Sequence, residues 1–168
     1  LLLCPAGPEF AAAFLGALYA GLVPVPAYPP ASAKHVGRVE VILRDADTDL
    51  IATTRRTRER IEKWLRDGSP TRAFRFTCVD EIEAASADAW RMPDLGPDSL
   101  AFLQYTSGST SEPKGVMVSH GNLLANVGML EGTMRYGPDM SMVSWLPMYH
   151  DMGLIGNVLG PLAVGGRT

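Results

Sequence analysis

Short apolar runs bounded by Gly, Pro or Asp alternate along this chain with segments of helical period, and that alternation leaves few folds open. "LLLC" stops at Pro5 as a strand does, and "EFAAAFLGALYAG", Glu9 to Gly21, is apolar nearly all round, which suits a helix buried between layers and ended by Gly21. "LVPVPAYPP" is extended, because Pro24, Pro26, Pro29 and Pro30 cannot sustain a helix. Strand, helix, strand is the result.

The pattern continues. "KHVGRVEVILRDAD" puts Val36, Val39, Ile42 and Leu43 on one helical side, and "LIATT" reads as a short strand. "RRTRERIEKWLRDG" is a charged helix with Ile61, Trp64 and Leu65 as its apolar stripe and Gly68 as its stop; its arginines form a solvated face. "FRFTCVD" is a strand, and the polar, Pro-bearing residues 81–99 are a surface connection. "LAFLQ", a small-residue loop, "GVMVS" and a helix from Gly121 to Met134 come next, then "MSMVSWLP" as a strand and "GLIGNVLGPLAVGG" as an apolar helix. Strands alternating with helices imply an α/β fold whose strands are mostly parallel.

With 46% hydrophobic and 20% charged residues, 168 residues suffice for a buried core. A formal charge of -3 offers no basic face for a nucleic-acid backbone, so nucleic acid is excluded as an expected partner. Cys4 and Cys78 are far apart and form no CxxC pair, which fits a reducing, cytoplasmic setting better than a disulfide framework or a zinc site. No apolar run reaches the roughly 18 to 20 residues of a membrane span. The first residue already lies within an apolar run and no Met precedes it, which reads as an internal piece of something larger.

Chemistry concentrates in "YTSGSTSEPKGV", Tyr105 to Val116. A strand that runs into glycines and hydroxyls exposes several N–H groups at one place, and such concavities hold phosphate without net positive charge. Ser107, Ser109, Thr110 and Ser111 add O–H donors, Gly108 lets the backbone approach closely, and Lys114 supplies a mobile point charge. By composition alone such a stretch is more often a surface turn. It is not a Walker A loop, since Lys114 stands between Pro113 and Gly115.

The stretch resembles the phosphate-binding signature of the adenylate-forming superfamily, Tyr-Thr-Ser-Gly-(Ser/Thr)-Thr-Gly-x-Pro-Lys-Gly-Val, departing from it only where Ser111 replaces the second loop Gly. "SWLPMYHDMGLIG", Ser144 to Gly156, resembles the block that lines the acyl carboxylate and α-phosphate in the same superfamily, with His150 at the junction of the two substrates and Asp151 beside it. On its own, a His–Asp pair at a strand-to-helix turn suits a metal ligand, a general base or an orienting hydrogen bond, and is more often structural. "PAYPP" and "LPMYHDMGLIG" resemble the fatty acyl-AMP ligase branch more than the CoA ligase or amino-acid branches.

The resemblance spans essentially the whole chain. It implies that residues 1–168 are the N-terminal part of an incomplete AMP-binding domain, a fragment of the large N-terminal domain of that fold, without the mobile C-terminal domain. It implies activation of a fatty acid with ATP and Mg²⁺ to an acyl-adenylate, releasing pyrophosphate, with transfer to the phosphopantetheine of an acyl carrier protein. It gives Thr106, Ser107, Gly108, Ser109, Thr110, Lys114 and Gly115 as the phosphate cradle, Thr110 as the contact to Mg-ATP, and His150 and Lys114 as catalytic. An acyl-CoA synthetase, with CoA as acceptor, and an inactive nucleotide- or partner-binding module are the alternatives. Seven of the eight methionines lie between Met117 and Met152, as alkyl-tunnel lining or, more ordinarily, as core.

Overall fold

The computed structural model describes residues 1–68, 74–106 and 113–168. Its first motif is the expected strand, helix, strand. Residues 1–4 run beside residues 24–27, with the Leu2 N–H donating to the Val25 carbonyl at 2.9 Å and the Ala27 N–H to the Leu2 carbonyl at 3.1 Å. Between them lies α1, Pro8–Tyr19. Pro8 opens this helix, where a missing N–H costs nothing, and Gly21, at φ 69°, closes it just past the last turn. The helix is not buried all round. Phe10 and Phe14 face inward, Ala13 and Leu18 pack partly against the same cluster, and Ala12 and Gly16 are exposed.

Helix α2, Val36–Asp45, buries Val39, Ile42 and Leu43 as its spacing requires. It leads to β1, Leu50–Thr53, and then to α3, Arg55–Gly68, and β2, Arg75–Cys78, which pairs parallel with β1. Leu2 bridges Pro26 on one side and Ala52 on the other, both in parallel. The Leu103 N–H donates to the Pro24 carbonyl at 3.2 Å, so β3, Leu100–Thr106, continues the hydrogen bonding beyond residues 24–27. Across the molecule the order is β2, β1, residues 1–4, residues 24–27, β3 and β4, the last being Lys114–Ser119.

The last pair departs from the expected parallel order. β3 and β4 are antiparallel, with Thr106 opposite Lys114 and Tyr105 opposite Gly115. The chain between them is too short for anything else: a parallel return needs a crossover of about a dozen residues, and residues 107–113 are only seven.

Alternation along residues 1–4 sets the layers. Leu1 and Leu3 point into one cluster with Val39, Ile42, Leu43, Ile51 and Ile61, which α2 and α3 close. Leu2 and Cys4 point the other way, into a second cluster with Phe10, Phe14, Phe102 and Leu154. Ring contacts bind this second face together, Phe14 meeting Phe102 edge-on at 5.6 Å. The result is helix, sheet, helix, an α/β fold.

After β4, helix α4, His120–Met134, begins with a capping box in which Ser119 and Asn122 exchange hydrogen bonds at 3.1 and 3.0 Å. "MSMVSWLP" is not a regular strand. Among the described residues its pairing is one bridge, Ser141 with Arg167, and the side chains of Val143 and Trp145 are 90% and 92% exposed, with no layer of the described residues over them. The apolar segment after it is helical as expected, but wound as a π-helix over Met152–Leu159 before α5, Gly160–Ala163. The methionines are not core in bulk, since Met117, Met129, Met134 and Met152 are exposed, while Met148 packs at the second cluster.

Candidate active site

Thr106 ends β3, and His150 ends the turn that enters the π-helix. They are 44 residues apart in sequence, yet both line one cleft of about 480 Å³. Its wall is the extended segment Pro26 to Ala31, which stays open because its prolines form no further ladder. The Tyr28 and Tyr149 rings meet at 4.1 Å across one side. Burial, and secondarily Tyr28, raises the Tyr149 hydroxyl above its ordinary pKa.

His150 is placed by backbone. Its N–H donates to the Pro147 carbonyl at 3.0 Å, and its own carbonyl accepts the Leu154 N–H at 2.7 Å. Its Nδ1 stands 3.0 Å from Asp151 Oδ1, which also accepts the Met152 N–H at 2.7 Å as the cap of the π-helix. The hydrogen bond from His150, then that from Met152, holds the Asp151 carboxyl below the usual carboxylate range. Asp151 thereby orients the imidazole and leaves Nε2 as its outward nitrogen.

Gly153 makes this turn possible. A Cβ there would stand 2.1 Å from the Pro147 carbonyl oxygen, so only glycine lets the π-helix start so close beneath the turn.

On the other side of the cleft, the Tyr105 hydroxyl donates to Asp45 Oδ2 at 2.5 Å, which ties β3 to the end of α2. Burial first, and the Asp45 carboxylate second, pushes the Tyr105 hydroxyl well above its ordinary value. Gly115 lies against this ring, where a Cβ would be 3.0 Å from Tyr105 Cζ. Gly115 therefore serves packing beneath the loop. Lys114, exposed and facing Thr106 across the ladder, makes no ion pair among the described residues.

Of the residues expected in the cradle, Ser107, Gly108, Ser109 and Thr110 lie outside the described residues, as does Ser111. Thr106, Lys114 and Gly115 flank that loop. Sequence reasoning missed Gln104, Tyr28, Tyr149 and Arg38, all of which line the cleft. Gln104 carried a signal: it interrupts the apolar run "LAFL" and is 7% exposed. Its Nε2–H donates to the Tyr149 carbonyl at 3.2 Å, while its Oε1 is buried with no partner among the described residues, an arrangement that costs about 1–3 kcal/mol.

A family model for AMP-binding enzymes matches residues 1–168. The chain belongs to the AMP-binding enzyme family. Among curated relatives, this family member is 38% identical to the medium-chain-fatty-acid acyl-carrier-protein ligase JamA of Moorena producens, over 98% of the present chain and 28% of that protein. It is 39% identical to the long-chain-fatty-acid AMP ligase FadD32 of Mycobacterium marinum, over 92% of the chain and 24% of that protein. The crystal structure of fatty acyl-adenylate ligase from L. pneumophila, in complex with acyl adenylate and pyrophosphate, superposes with a TM-score of 0.87 at 33% identity. That match covers 99% of the chain and 29% of the solved one. The AMP-binding chain therefore spans 24% to 29% of the length of these relatives.

Proposed function

We propose that this chain is the N-terminal part of a fatty acyl-AMP ligase, which joins a fatty acid to ATP and passes the acyl group to the phosphopantetheine thiol of an acyl carrier protein. The observation that carries the reading is the convergence of Thr106, at the base of the phosphate-type loop, and His150 on one cleft.

The chemistry brings two anions together. A carboxylate oxygen attacks the α-phosphorus of ATP, a new C–O–P linkage forms, the bond from the α-phosphorus to the bridging oxygen breaks, and pyrophosphate leaves. Catalysis then consists of neutralising charge and positioning the partners. Thr106, Ser107, Gly108, Ser109, Thr110 and Gly115 present hydroxyl and backbone donors to the β- and γ-phosphates, and Lys114, unpaired among its described neighbours, adds its ammonium. His150, oriented by Asp151, meets the carboxylate and the α-phosphate.

Among the described residues no group of three or more His, Cys, Asp or Glu could hold a metal ion, so those residues offer no resident metal site. The hydroxyl-rich sequence from Thr106 to Ser111 fits Mg²⁺ that arrives on ATP, since Mg²⁺ keeps waters and binds through substrate phosphates. Thr110 is the proposed contact; the ion would spread the charge of the departing pyrophosphate. The cytoplasm, reducing and supplied with ATP, suits this reaction.

The relatives support the acceptor, because JamA is a ligase to an acyl carrier protein. The test is dodecanoate-dependent ATP–pyrophosphate exchange by the full-length protein. Exchange that falls roughly 10²-fold in His150→Ala at an unchanged melting temperature supports the reading. Absence of exchange with every fatty acid overturns it in favour of a nucleotide- or partner-binding module.

A further inference from the structure

Strand β3 is apolar from Leu100 to Leu103, and Gln104 then places an amide at 7% exposure. A polar side chain at that depth needs a reason. Stability is a poor one: Gln104 Oε1 has no partner among the described residues, so an apolar side chain of the same shape would serve the core at least as well. The reason lies in the other end of the amide. Nε2–H donates to the Tyr149 carbonyl at 3.2 Å, across 45 residues of sequence. An amide turned over would set oxygen against oxygen, so the Tyr149 carbonyl fixes its orientation.

Tyr149 is bonded to His150, whose backbone is otherwise held by Pro147 and Leu154 from within its own turn. The Gln104 bond is the one of these that reaches β3, two residues before Thr106. We infer that Gln104 is a positioning residue: through the Tyr149 carbonyl it sets where His150 stands relative to Thr106 across the cleft that both line. This rests on the acyl-AMP ligase reading, and it adds a residue that acts by placing another. Misplacement by about 1 Å is enough to cost roughly 10²-fold in rate.

The experiment uses the full-length protein in dodecanoate-dependent ATP–pyrophosphate exchange. Gln104→Met removes the donor at nearly constant volume. The expected result is a kcat lower by roughly 10-fold to 10²-fold, with KM for ATP and dodecanoate within about twofold and a melting temperature no lower than wild type. A second variant, Gln104→Glu, has a donor only while its carboxyl is protonated. Burial raises the pKa of such a carboxyl, so its kcat relative to wild type is expected to rise as pH falls. Tyr28, His35, Arg38, Tyr105, Tyr149 and His150 share the cleft, and dividing by the wild-type rate at each pH removes their titration from the comparison.

A Gln104→Met enzyme with unchanged kcat per folded molecule, or with a loss that tracks a fall in melting temperature, overturns the inference. If the wild-type protein exchanges no pyrophosphate with any fatty acid, the functional reading fails, and the tether is read by amide hydrogen exchange across residues 148–151. Faster exchange there in Gln104→Met supports the tether; an unchanged rate overturns it.

Discussion

Gly153 sits so close beneath Pro147 that a Cβ at that position would come within 2.1 Å of the Pro147 carbonyl oxygen. Pro147 is also the acceptor for the His150 N–H, so this contact fixes the start of the π-helix and the imidazole together. Gly153→Ala must part the helix from the turn. We expect a cost of about 3 kcal/mol, read as a lower unfolding midpoint, with adenylation per folded molecule reduced as well. An unaltered midpoint would show that the turn yields freely.

Lys114 stands exposed at the first ladder pair, opposite Thr106, and supports little of the core. Lys114→Ala in the full-length protein is expected to lower kcat/KM for ATP roughly 10²-fold and to leave the melting temperature in place. Full pyrophosphate exchange in that variant would remove Lys114 from the phosphate site.

The Tyr105 hydroxyl, the Asp45 carboxylate and Gly115 form one unit between α2, β3 and β4. Tyr105→Phe deletes a hydrogen bond to a charged group and is expected to cost about 2 kcal/mol. Gly115→Ala displaces the same ring, so the double variant should lose less than the two single losses added together. Strict additivity in urea unfolding would show the two contacts to be independent.

Acid acts at Asp151. Its carboxyl is held below the usual range in the folded chain, first by His150 and then by the Met152 N–H. A depressed folded pKa contributes stability above the unfolded value, near pH 4, and that contribution is lost as pH falls through the folded value. Asp151→Asn retains an oxygen to cap Met152 but not the charge. Its stability relative to wild type should therefore improve below about pH 4, by a small amount because both side chains of the pair are largely exposed. A difference that does not change between pH 3 and pH 6 would exclude the pairing.

Cys4 is fully buried beside α1, and burial, with smaller contributions from Asp80 and Glu9, pushes its thiol up to about 12. Iodoacetamide at pH 8 should leave Cys4 unmodified in the folded protein and label it in urea. Rapid labelling in the folded state would show that the second cluster opens readily.

Most of the fold was legible because local rules and packing agree. Gly21 closes α1 where glycine must, and Val39, Ile42 and Leu43 meet the core at helical spacing. The failures have a common cause in tertiary context. "MSMVSWLP" has the composition of a strand, but a strand needs a neighbour along its length, and Ser141 with Arg167 is the single bridge it makes among the described residues. α1 is apolar nearly all round in sequence, yet only its inward side meets the core, where Phe10 and Phe14 are buried and Ala13 and Leu18 are half-buried.

Thr106 and His150, which line the cleft, were named from the sequence because they stand in motifs that resemble those of the adenylate-forming superfamily; Lys114 and Gly115, named for the same reason, flank the loop and are not among the residues that line the cleft. Gln104, Tyr28 and Tyr149 were not named from the sequence, because each belongs to the cleft through partners distant in sequence. Tyr28 meets Tyr149 across the wall of the cleft, and Gln104 meets the Tyr149 carbonyl from β3. A polar residue inside the buried run "LAFLQY" was the available clue.

The most direct test of the proposed activity is mass spectrometry of the product that the full-length protein makes from dodecanoate and Mg-ATP, with and without CoA. The account predicts dodecanoyl-adenylate that accumulates equally in both reactions and is consumed when a phosphopantetheinylated carrier protein is added. Conversion to dodecanoyl-CoA, or no adenylate with any carboxylate, would contradict it.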